Sequence, residues 1–144
     1  MLQEMTLKQV IDKFNELAIK QPVISTVLGS GNIYDLNEDR NAKFGVFCLT
    51  QGTHSTDLSN GFSTYNFFLY YVDRLQSNES NKIEIQSTAL ETLKNILRTF
   101  IQETDSELTQ ADFQVFTESF AQLCAGAYAT IAVVVEDDNC IEKF

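Results

Sequence analysis

The sequence predicts an α+β fold: a mostly antiparallel sheet flanked by helices, in the order α-β-β-β-α-β-β. Three observations carry this. Two segments, Thr6–Lys20 and the run that follows Asn81, repeat apolar residues at the three-to-four spacing of a helix face. Phe62–Asp73 and Ala125–Val135 are long runs of aromatic, β-branched and small residues suited to strands. Polar turn chemistry separates these segments, and neither a repeat nor a low-complexity tract interrupts them. The 144 residues suit one domain spanning 1–144.

Taken in order, the first helix presents Leu7, Val10, Ile11, Phe14, Leu17 and Ala18 on one face. Thr6 and Gln9 stand at capping-box spacing, and Met5 and Val10 at staple spacing. Pro22 bars its continuation. Val23–Leu28 reads as a strand, Gly29-Ser30-Gly31-Asn32 as a turn, and Ile33–Leu36 as resumed extended chain. Asn37–Lys43 is a charged turn, and Phe44–Thr50 is the second main strand. Gln51–Gly61 is a polar connection without apolar periodicity. At eleven residues it is long for a hairpin loop, and it is expected either to lie disordered or to reach a neighbour.

Phe62–Asp73 is the organising strand. Alternate side chains of a strand point to opposite faces, so Tyr65, Phe67, Leu69 and Tyr71 share one face and Asn66, Phe68 and Tyr70 share the other. The second helix carries Ile85, Ala89, Leu90, Leu93, Ile96, Leu97, Phe100 and Ile101 on one stripe, with Asn81 and Glu84 as its expected capping box, and fades after Gln102. Glu103–Ala111 reads as an acidic loop and Asp112–Glu118 as a strand. Ala125–Val135 is a β-rich run whose small residues would let a helix pack close, and the tail after it is short. Two helices can cover one face of the sheet. The first face of Phe62–Asp73 is therefore assigned to the helices. The Asn66/Phe68/Tyr70 face is assigned to another subunit, with Phe44 or Phe116 as further candidates for it, since aromatic residues concentrate at interface cores.

Composition narrows the function. Ten Lys and Arg stand against 20 Asp and Glu, for a formal charge of −10. Such a surface repels nucleic acid, which argues against sequence-specific DNA binding. Cys48, Cys124 and Cys140 have neither disulfide-framework nor zinc spacing, and Cys48 and Cys124 read as buried thiols of a protein made in a reducing compartment. The N-terminus has no signal-peptide pattern, and no stretch is long enough to cross a membrane. His54 is the sole histidine; its neighbours Ser55 and Asp57 are adjacent in sequence and cannot converge on it as a triad. Gly29-Ser30-Gly31 lacks the rest of a phosphate loop, and Asp35, Glu38 and Asp39 lack EF-hand spacing. No enzyme activity, metal or cofactor is therefore expected.

The order of elements, together with YNFFLYYVDRLQSNESNKIEIQSTALETLKNIL (65–97) and FTESFAQLCAGAYATIAVVV (116–135), resembles the tail-terminator, tail-completion and neck-ring proteins of tailed bacteriophages, the crAss-like group among them. The opening TLKQVIDKFNELAIKQP and the NIYDL run at Asn32–Leu36 fit the same pattern. The resemblance implies a non-enzymatic virion protein, assembled in the host cytoplasm into a homo-oligomeric ring at the tail or neck. Sixfold is the first expectation and twelvefold the second. DNA would pass through the lumen, with tail, neck or portal proteins as neighbours. It also implies that loops carry subunit contacts, which makes Gln51–Gly61, with His54 and Asp57, and Glu103–Ala111 candidates. A second resemblance, to small acidic type III secretion chaperones that bind effector segments as dimers, is weaker. Those proteins usually finish with a helix, whereas Ala125–Val135 reads as strand.

Overall fold

The computed structural model describes residues 4–29, 31–37, 43–119 and 122–136. Helix α1 (Leu7–Ile19) starts with the predicted capping box. The Gln9 amide N–H donates to Thr6 Oγ1 at 3.2 Å, and the Thr6 N–H donates to Gln9 Oε1 at 2.9 Å. The helix ends at Lys20, two residues before Pro22. Strands β1 (Thr26–Leu28), β2 (Val46–Gln51), β3 (Ser55–Asp57) and β4 (Phe62–Arg74) follow, then helix α2 (Lys82–Thr104), β5 (Glu107–Ser119) and β6 (Leu123–Glu136). The sheet runs β1-β2-β4-β6-β5, with β3 pairing the start of β4. Its one parallel strand pair is β1 with β2; all other strand pairs are antiparallel.

Both helices lie on one face of the sheet, and the core sits beneath them. Alternation along the strands sends Phe47, Leu49, Phe67, Leu69, Tyr71, Ile131 and Val133 into it, where they meet Val10, Phe14 and Leu17 of α1 and Leu93, Ile96 and Phe100 of α2. Phe14 stacks on Phe100, with ring centroids 4.1 Å apart, and meets Phe67 edge-on at 6.0 Å. Lys13 joins the two helices at the surface, with Nζ 2.8 Å from Glu103 Oε1. The small residues of β6 do what their size predicts. Ala125, Ala127 and Ala129 are wholly buried on the helix side, where a larger side chain would push α2 outward.

Several sequence expectations are corrected. Ile33–Leu36 is a 3₁₀ turn, Ile33–Asn37, and pairs with nothing as a strand. The Asn32 side chain accepts from Tyr34 N at 3.0 Å and its carbonyl accepts from Asp35 N, which coils the chain locally. The strand expected over Val23–Leu28 narrows to β1, whose partner is β2. Asn81 does not cap α2 with its side chain. Its amide instead bridges the preceding loop, accepting from Gln76 N and donating to Arg74 O. The acidic loop expected over Glu103–Ala111 shrinks to Asp105 and Ser106, because α2 continues to Thr104 and β5 begins at Glu107. Asp105 takes the left-handed conformation (φ 53°) that ends the helix, and Ser106 N donates to Thr104 Oγ1. Glu38, Asp39 and the tail beyond Glu136 lie outside the described residues.

One glycine is fixed by contact. Gly126 of β6 pairs with Val72, and a Cβ built there would lie 1.9 Å from the Tyr71 carbonyl oxygen. The atoms it would meet are all β4 backbone, of Tyr71 and Val72, and none is the flexible end of a side chain. Gly126→Ala is expected to destabilise the fold by about 3 kcal/mol, read as a lower urea midpoint at unchanged slope. A midpoint equal to wild type would show that β4 and β6 can separate here without loss.

Candidate functional site

Among the described residues, the face of the sheet away from the helices is covered at one end only. There the 3₁₀ turn lays Ile33 and Leu36 over Val46, Cys48, Val72 and Cys124, sealing a second apolar cluster. Beyond that cover lie Phe68 and Tyr70 of β4, Phe116 of β5 and Tyr128 of β6, all half-buried. Register explains their meeting: Tyr70 pairs directly with Tyr128, and Phe116 with its neighbour Gly126. Ring centroids are 5.3 Å apart for Tyr70–Tyr128, 6.2 Å for Tyr70–Phe116 and for Phe116–Tyr128, and 6.4 Å for Phe68–Tyr128. With Ile33, Tyr34 and Glu118 these rings line a cleft of about 310 Å³. A wider depression of about 400 Å³ elsewhere, lined by residues such as Tyr71, Asp73 and Glu84, has no comparable aromatic floor.

The charge around this face is one-sided. Residues paired directly across strands share a face, so Glu107 (opposite Val134), Asp112 (opposite Thr130), Glu118 (opposite Cys124) and Glu136 (opposite Phe62) all project on the helix-free side. The one described base on β2–β6 is Arg74, whose guanidinium lies 5.0 Å above the Phe44 ring at the covered end. Burial pushes the Tyr70 hydroxyl up from its ordinary range, with further upward contributions from Tyr128, Tyr34 and Cys48, so Tyr70 stays a neutral hydrogen-bonding group at neutral pH.

The five residues singled out for subunit contact separate into two groups. Phe68 and Tyr70 floor the cleft. Asn66, His54 and Asp57 do local structural work. The Asn66 amide donates to Thr53 O at 2.6 Å, and the Asn66 backbone N–H donates to His54 Nδ1 at 3.1 Å. Nδ1 is therefore the unprotonated nitrogen, and Nε2–H donates to Gln51 Oε1 at 3.0 Å. The His54 ring sits 5.3 Å from Tyr65 and 5.5 Å from Phe67. Asp57 holds the tight turn after β3, accepting from Ser59 N, Asn60 N and Asn60 Nδ2. Those bonds keep its carboxyl below the usual range, and Gly61 completes the turn at φ 76°. The expected long free loop at Gln51–Gly61 is thus strand β3 and an ordered turn. Of the companions considered from sequence, Phe116 joins Phe68 and Tyr70, while Phe44 lies under the Arg74 guanidinium. Tyr128 was missed, because the β4–β6 register that brings it opposite Tyr70 is long-range.

Cys48 and Cys124 are buried free thiols. Among the described residues no three His, Cys, Asp or Glu side chains gather where they could hold a metal ion, and no helix is long and apolar enough to cross a membrane. No protein-family model matches the chain, and no curated protein matches its sequence.

Two outcomes are expected of this region. Burial pushes both thiols up to about 11, and burial with the Asp73 carboxylate pushes Tyr71 up to about 12. Unfolded, such groups titrate near 8.5 (Cys) and about 10 (Tyr). The folded state holds these protons more tightly, so their stabilisation is complete below about pH 8 and is lost as pH climbs through 11 to 12. The urea midpoint should be level from pH 7 to about 8 and then fall steadily; a midpoint level to about pH 10.5 contradicts the burial of these groups. His54→Ala should cost about 1 kcal/mol through the lost Asn66 N–H bond and speed amide exchange at Asn66, measured by NMR.

Proposed function

We propose that this protein is a structural subunit that assembles with copies of itself into a closed ring, and that the ring is a tail-terminator, tail-completion or neck ring of a tailed bacteriophage. The observation that carries assembly is the open aromatic face. Phe68, Tyr70, Phe116 and Tyr128 stand partly exposed on a sheet whose helices lie on its other side. An aromatic cluster of this kind next to a cleft is the usual core of a subunit contact. The phage reading rests on the resemblance of residues 65–97 and 116–135 and on the order of elements. It is supported further by the acidic charge of −10, which suits a lumen that DNA must pass without adhering. The ring is sixfold first and twelvefold second, its neighbours are tail, neck or portal proteins, its location is the virion, and it has no catalytic role. The secretion-chaperone reading gains nothing here, since the last described element is strand β6.

The test is Phe68→Asp, examined by circular dichroism and light scattering over rising concentration. Wild type is expected to form a cyclic oligomer. The variant is expected to keep its secondary structure and its thermal transition within a few degrees, and to remain a monomer. Assembly that survives the substitution would overturn the assignment of this face. A wild-type protein that stays monomeric into the millimolar range would overturn the solution ring.

A further inference from the structure

The open face needs an occupant, and the distribution of charge selects one. On that face the described strand residues carry four carboxylates, Glu107, Asp112, Glu118 and Glu136, against a single base, Arg74, which stands in the row of Glu118 and lies over the Phe44 ring. Two copies set face to face would bring these carboxylates together, which disfavours a symmetric dimer through this surface. The cations lie on the other side of the molecule. Among the described residues every Lys and Arg except Lys43 and Arg74 belongs to α1, α2 or the α1 cap.

Most of those helix cations already hold a carboxylate: Lys8 with Asp12, Lys13 with Glu103, Lys20 with Glu16, Lys82 with Glu79, Lys94 with Glu91. Arg98 differs. Its guanidinium donates to the neutral Asn95 Oδ1 at 3.3 Å, and its side chain is exposed. One turn further on the same side of α2 stands Ile101, a large apolar residue left 40 % exposed. Arg98 and Ile101 thus offer a cation beside an aliphatic knob. The cleft offers a carboxylate, Glu118, beside an aromatic hole. An arginine over Tyr and Phe rings is favourable in its own right.

We propose that the outer face of α2 in one copy docks on the open aromatic face of the next, with Arg98 at Glu118 and Ile101 on the Phe68/Tyr70/Phe116/Tyr128 floor. This rests on the ring reading and names its contact. Because the two surfaces lie on opposite sides of one molecule, the contact is head-to-tail, the type that closes into a ring when its rotation permits.

Disulfide trapping tests it in a Cys140→Ser background, where Cys48 and Cys124 are buried. The double variant Arg98→Cys/Glu118→Cys, oxidised at a concentration where wild type assembles, should give a ladder of covalent multimers on a denaturing gel. A mixture of the two single variants should give a covalent dimer and nothing larger, and neither single variant alone should cross-link. Dimers from Glu118→Cys alone would mean that the faces meet each other, and would overturn the proposal. Oligomers seen by light scattering with no ladder from the double variant would overturn this contact while leaving the ring reading intact. No oligomer and no cross-link at any concentration would overturn both.

Discussion

All thirteen residues of β4 pair with β6, from Phe62 opposite Glu136 to Arg74 opposite Cys124. The rest of the architecture depends on that register. A shift of one residue would turn Phe67, Leu69 and Tyr71 away from the helices and carry Phe68 and Tyr70 into the core. It would also take Gly126 from beneath the Tyr71 carbonyl, where only a residue without a side chain fits. The register is therefore held from two directions. Apolar burial favours it along the whole strand, and the close approach at Gly126 excludes its neighbours. The helix-side core and the open face are two products of the same pairing.

The open face owes its form to an incomplete cover. The 3₁₀ turn at Ile33–Asn37 seals Val46, Cys48, Val72 and Cys124, while its Ile33 and Tyr34 form one wall of the cleft that Tyr128 also lines. Apolar groups thus grade from a sealed cluster to a half-buried one, in which Tyr70 and Phe116 pack on the sealed residues and, with Phe68 and Tyr128, on each other.

The fold was legible wherever local pattern and burial agree. The α1 capping box, the helix-facing side of Phe62–Asp73 and the close packing over the alanines of β6 could all be read from spacing and residue size. The losses came where a side chain bonds to backbone outside its expected motif. Asn32 coils a stretch whose Ile and Tyr favour strand. Asn81 secures a loop instead of a helix end. His54 and Asp57 order a segment whose polarity reads as free loop. The site was mostly visible: parity gave Phe68 and Tyr70, and Phe116 stood among the candidates, while Tyr128 depends on the pairing of β4 with β6, more than forty residues apart in sequence.

The edge strand β5 has a further consequence. Its outer side has no strand partner among the described residues, and over thirteen residues such an edge is a template for fibre growth. The register slips between Leu108 and Gln110, a bulge that twists the strand, and Glu107, Asp112 and Glu118 punctuate its length. Irregular geometry and spaced negative charge hinder one edge from zippering onto another. The chain's longest open edge is thereby a poor template for uncontrolled association through the backbone.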